Sequence, residues 1–207
     1  MSRPRPWRAA RAAIERRHGT WRGLVRALLA RAELAVGRLA PFRLRHPHRV
    51  RRVVFVCLGN ICRSAFAHQV AVQLGMAAVS VGLSTSTGAA SPEPALRAAR
   101  RHGYEMAAHR ATDLSDFEVL PGDLFVVMEV RQARELRRRL GPRDDVEVAL
   151  LGLWCDPVMP HLHDPYTLSD AYFDQCFGRL RQAVRRLRLS LPLLPRQPAA
   201  TAGGSAA

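Results

Sequence analysis

The sequence predicts an α/β fold. A Rossmann-like, three-layer arrangement is expected, with a four-stranded parallel sheet, helices on both faces and a basic helical extension in front. Three observations carry that expectation. From residue 51 onward, short apolar runs rich in β-branched residues alternate with segments of helical periodicity. The first run, "VVFVC" at 53–57, is apolar throughout, as in a central strand buried on both faces. The charge is also segregated: residues 1–52 hold fifteen arginines against Glu15 and Glu33, a net of +13, while residues 53–207 carry only +2.

With 207 residues, 48 % of them apolar, the chain can fill the core of one domain of ordinary size and carry an appendage. Cys57, Cys62, Cys155 and Cys176 are too few for a disulfide scaffold at this length. No apolar run approaches the roughly 18 residues of a membrane span, and arginines interrupt every candidate signal-peptide core. The expected compartment is the cytoplasm, with a membrane-peripheral position left open by the basic extension.

In chain order, residues 1–11 read as a disordered basic arm, and Ile14 to Leu39 as a helical stretch whose apolar stripe is interrupted by Gly19, Gly23 and Gly37. Residues 41–49 read as a Pro-punctuated linker, so the extension is taken as 1–49. The core, 50–191, begins with the strand ending at Cys57, followed by a helix over 64–74 with Phe66, Val70 and Leu74 on one stripe. "AVSVGLS" at 78–84 alternates as a second strand, and 91–103 is a helix with Pro92 and Pro94 near its start and Gly103 as its stop. Strands at 123–130 and 146–154 flank a helix over 131–141, and a loop at 161–169 leads into a closing helix over 170–191. The tail, 192–207, is of low complexity and expected to be disordered.

In parallel sheets ligands sit beyond the carboxyl ends of the strands, and the first strand ends at Cys57. Within "CLGNICRS", five residues separate Cys57 from Arg63. A loop of that length can curl its backbone N–H groups around one anion. Gly59 supplies a permissive backbone and Asn60 tolerates the left-handed region. The helix that follows adds its free N–H groups and positive dipole end. Arg63 can grip two phosphate oxygens, and the same donors favour a thiolate at Cys57, with Ser64 placed to donate to it.

This loop resembles the signature of the low-molecular-weight protein tyrosine phosphatases, over about residues 50–190. "HDPYT" at 163–167 resembles that family's Asp-Pro-Tyr loop, "LSTST" at 83–87 its Ser-Ala-Gly-Thr stretch, and "AAHRAT" at 107–112 its His-Arg-Ala segment. The resemblance implies a protein tyrosine phosphatase acting on phosphotyrosine in protein, with no cofactor and no metal. Cys57 is then the nucleophile that becomes phosphorylated, Arg63 the phosphate ligand, and Asp164 the acid and later the base. Leu58, Gly59, Asn60, Ile61, Cys62 and Ser64 complete the phosphate-binding loop. Ser84 is expected to hydrogen-bond the Asn60 side chain, Tyr166 to line the cleft, and Cys62 to offer a protective disulfide. Departures from the pattern are Ala65 for Pro, Ser86 for Gly, Glu129 for Asp, Thr167 for a second Tyr, and no aromatic wall after 83–90.

Other assignments compete. Asp156, in a second Asp-Pro, is a rival acid, but it adjoins the fourth strand and lacks the following aromatic. His109 reads as structural, His161 and His163 lack metal-site spacing, and Cys155 and Cys176 read as core fillers. A catalytically impaired anion-binding protein is one alternative function. A thiol-coupled arsenate reductase is another, which the absence of cysteine between 77 and 154 disfavours. The extension fits an anionic membrane surface, an acidic partner or a helix packed on the core; nucleic acid is the disfavoured partner. Its removal is expected to leave turnover of small aryl phosphates intact.

Overall fold

The structure, a computed structural model, describes residues 6–192. The tail beyond 192 and the first five residues of the expected basic arm lie outside the described residues. Four strands, β1 (Arg52–Cys57), β2 (Ala78–Gly82), β3 (Asp123–Val127) and β4 (Glu147–Leu150), form one parallel sheet in the order β2-β1-β3-β4. The chain leaves β1 for β2 on one side and returns to β3 on the other. The carboxyl end of β1 is therefore the topological switch point, where an α/β sheet opens a crevice.

Strand alternation divides the core in two. Val53, Phe55 and Cys57 of β1 face α3 (Arg63–Gln73), α4 (Glu93–Arg101) and α6 (Asp170–Leu189). On that side Phe66 stacks on Phe177 with ring centroids 4.0 Å apart, joining α3 to α6. Val54 and Val56 face the other way, against Ala133 and Leu136 of α5 (Val130–Leu140). The third and fourth strands are shorter than expected. β3 gives way to a turn at Met128–Glu129, and residues 151–154 wind into a 3-10 turn.

The extension departs most from expectation. Two helices, α1 (Pro6–His18) and α2 (Trp21–Ala35), replace one interrupted helix, and residues 6–11 are helical rather than disordered. Thr20 separates them, and its hydroxyl caps α2 by accepting from the Gly23 N–H at 3.0 Å. Ala30, Leu39 and Phe42 complete the second face of the core, where Leu39 is fully buried. The linker is tied down as well, since the Arg45 and His46 N–H groups donate to the Glu147 carboxylate at 2.8 and 2.9 Å.

Candidate active site

Cys57 ends β1, and the chain turns through Leu58–Cys62 into the first turn of α3. Asn60 holds the turn at φ +50°, a left-handed conformation that asparagine tolerates better than most residues. Its buried side chain donates to Ser64 Oγ at 2.8 Å and Ser80 Oγ at 2.9 Å, and accepts from the Thr112 N–H at 2.9 Å. Its carbonyl lies 2.6 Å from His109 Nε2, and the Thr85 hydroxyl donates to the Gly59 carbonyl at 2.8 Å. The loop is thus shaped from outside by β2 and the segments after it. His109 has the structural place expected for it.

The Cys57 thiol points into this loop. The Asn60 N–H approaches Sγ at 3.3 Å and Ser64 Oγ lies 3.0 Å away. Ser64 Oγ already accepts from Asn60, which leaves its proton free to point at the sulfur. Cys62 is a free, buried thiol, pushed up by burial and then by Asp164.

One expectation is corrected here. Ser84 does not reach Asn60. β2 ends at Gly82, so Ser84 lies beyond the strand with its side chain in solvent and donates only its backbone N–H, to the Leu58 carbonyl at 2.9 Å. The partner is Ser80, paired with Phe55 in the sheet and so on the same face as Cys57. Gly82, the last residue of β2, lies close against the loop. A Cβ there would lie 2.9 Å from the Leu58 carbonyl and 3.2 Å from Asn60 Cβ, closer than the loop allows.

Arg63 opens α3 and is 1 % exposed. Its Nη1 donates to Glu129 at 2.6 Å and to the Leu162 carbonyl at 2.9 Å, and Nη2 donates to Asp164 Oδ2 at 2.5 Å. Its buried Nε has no partner. Burial would lower the guanidinium, but Asp164 and Glu129 outweigh it and raise it. Glu129 is fully buried beside β3 and also accepts from Arg131 at 2.6 Å. Burial pushes its carboxyl up, yet the Arg63 charge and the Arg131 hydrogen bond prevail and hold it at about 2. Sequence reading treated Glu129 as a minor departure; it is the buried counter-ion of Arg63.

Asp164 is one-third exposed, and its Oδ1 accepts from the Tyr166 N–H at 3.2 Å. Leu58 and Tyr166 stand exposed beside the site. Asp156, the rival acid, lies instead on the surface, paired with Arg186 at 2.7 Å.

The segment before Asp164 is held from the extension. His163 Nε2 hydrogen-bonds Thr20 Oγ1 at 3.1 Å, and burial lowers its imidazole. A Cβ on Gly23 would stand 2.9 Å from the His163 ring and 2.1 Å from the His18 carbonyl. The extension is therefore packed on the core and touches the segment that carries Asp164. Removing residues 1–48 would strip Leu39 and Phe42 from the core, at about 1.5–3 kcal/mol each. Gly23→Ala tests the contact in the full chain. It is expected to lower kcat for phenyl phosphate about tenfold by displacing the segment that carries Asp164. Steady-state kinetics beside a melting curve check this, and unchanged kcat would sever the link.

A sequence profile for the low molecular weight phosphotyrosine protein phosphatase family matches residues 52–193. The chain is 28 % identical over 137 residues to the probable low molecular weight protein-tyrosine-phosphatase EpsP of Ralstonia solanacearum, covering 65 % of this chain and 92 % of that protein. It is 32 % identical over 144 residues to low molecular weight protein-tyrosine phosphatase A of Mycobacterium tuberculosis, covering 64 % and 86 %. The crystal structure of the Erwinia amylovora tyrosine phosphatase amsI matches with a TM-score of 0.57 and 27 % identity, over 69 % of this chain and 93 % of that one. The tyrosine phosphatase Wzb from Escherichia coli K30, in complex with sulphate, matches with a TM-score of 0.55 and 26 % identity, over 67 % and 96 %. Helices α1 and α2 precede the matched span.

Proposed function

The chain belongs to the low molecular weight phosphotyrosine protein phosphatase family, and on that premise we propose that it hydrolyses phosphotyrosine in protein substrates through a phosphocysteine at Cys57. The observation that supports this most directly is the convergence of Cys57, Arg63 and Asp164 on one loop, with Arg63 Nη2 on Asp164 and Arg63 Nε unpaired.

The Cys57 sulfur attacks phosphorus, forming an S–P bond as the P–O bond to the tyrosyl oxygen breaks. Loop N–H groups and Arg63 hold the equatorial oxygens, where charge develops. Asp164 gives its proton to the leaving phenolate. It then takes a proton from water, which attacks phosphorus, breaks the S–P bond and releases phosphate. Exposed Leu58 and Tyr166 offer apolar surface to an aryl ring.

The thiol-relay alternative finds no support in the remaining cysteines. Cys155 and Cys176 are buried, and burial pushes their thiols up to about 11 and about 12.

The test is hydrolysis of phenyl phosphate and p-nitrophenyl phosphate by the wild type and Asp164→Ala, each with and without chelator. Turnover is expected to resist chelator. Asp164→Ala should lose roughly 10²–10⁴-fold with phenyl phosphate, and less with the better p-nitrophenolate leaving group. Equal losses on both esters would remove Asp164 from the acid role. A folded, reduced wild type with no turnover would leave an anion-binding protein in place of the enzyme.

A further inference from the structure

Helix α2 is packed with its large apolar residues outward. Its inner face, one turn apart each time, is Gly23, Ala27 and Ala30, all buried. The outer face carries Trp21, Val25, Leu28 and Leu29, with Trp21 65 %, Leu28 52 % and Leu29 60 % exposed. Val36, just past the helix, continues the stripe in solvent. A surface helix ordinarily buries such residues and exposes small or polar ones. Here the small residues are needed inside, because Gly23 sits against His163, so the outward stripe is left without a partner among the described residues.

The surroundings of the stripe choose its occupant. Arg22 and Arg26 border it on one side and Arg31 on the other. Exposed Arg8, Arg16 and Arg17 lie on the neighbouring α1, in a segment of net charge +13. A second copy of the chain would bring a like-charged rim against this one. Nucleic acid would meet mostly aliphatic side chains, with the Trp21 indole N–H the one donor on the stripe. A bilayer with anionic headgroups satisfies both parts: the Trp and Leu side chains enter the headgroup–acyl boundary while the flanking arginines stay among the phosphates. No helix among the described residues is long and apolar enough to cross a membrane, so the chain would lie on the surface. We propose that the outward face of α2 docks the protein on an anionic membrane.

The experiment is co-sedimentation of the full chain with vesicles of phosphatidylglycerol or of phosphatidylcholine, together with sedimentation velocity in their absence. Partitioning onto phosphatidylglycerol is expected, weakened by salt, with little onto phosphatidylcholine. Leu28→Ser/Leu29→Ser should reduce it by about tenfold or more without moving the melting temperature, since both side chains face solvent. Arg22→Gln/Arg26→Gln should reduce it about 25-fold, from roughly fivefold per arginine. Tryptophan emission should be quenched by brominated lipid in the unsubstituted chain, a readout that needs no variant. The proposal is overturned if the chain ignores phosphatidylglycerol vesicles, or if binding survives Leu28→Ser/Leu29→Ser. A dimer that those leucine changes dissociate would overturn it too, in favour of a second copy.

Discussion

Cys57→Ser is expected to lower turnover of any phosphomonoester by about 10⁴-fold or more while leaving the melting temperature within a degree or two of wild type. A serine hydroxyl must lose its proton to attack, and that requires a neighbouring base. The atoms around Sγ are the Asn60 N–H and the Ser64 hydroxyl, neither of which can serve. The fold should not notice, because the oxygen can keep the contact with Ser64. Loss of turnover with retained binding of phenyl phosphate, by calorimetry, is the expected pair of results. Activity within tenfold of wild type would sink the nucleophile assignment.

Glu129→Ala is expected to have the largest effect on stability, about 3–5 kcal/mol, because it strands a fully buried guanidinium. Asp164, one-third exposed, would remain as the partner of Nη2 alone. Activity should fall as well, since Arg63 would lose the contact that sets its angle over the loop. Denaturant unfolding measures the first effect and KM for phenyl phosphate the second. Glu129→Gln keeps the volume and isolates the charge. The wild-type carboxyl is held at about 2, below its ordinary 4.5. Its ion pair therefore contributes in full above about pH 4.5, and the contribution is lost as the pH falls toward 2. The stability difference between wild type and Glu129→Gln should shrink across that interval. A difference that does not change with pH would show that the charge of Glu129 is not what stabilises Arg63.

The fold was legible because each strand announces itself as a short apolar run, and the loop because its chemistry is contiguous from Cys57 to Ser64. What escaped was set by tertiary contact. Alternation marks the face of Ser80 but not the residue at which β2 stops, so Ser84 took its role. A buried glutamate looks like any surface glutamate until the arginine beneath it is placed, so Glu129 was undervalued. In α2 the usual inference ran backwards. Trp21 and Leu28 face outward, and Gly23, read as an interruption of the apolar stripe, is where the helix touches His163. Small residues carry little hydrophobic signal, yet they permit the closest approach.

The Arg63–Asp164 contact also has a consequence for selectivity at the threshold of the site. In Asp164 the arginine holds an anion of its own chain. Entry is thus a substitution, and an incoming group must compete with a tethered carboxylate. A phosphate dianion brings more charge and more oxygens to Arg63 than that carboxylate does, while an uncharged aryl ester brings neither. On the mechanism proposed above, the exchange would free Asp164 beside the bond about to break, so the substrate's own charge would unlock its proton donor.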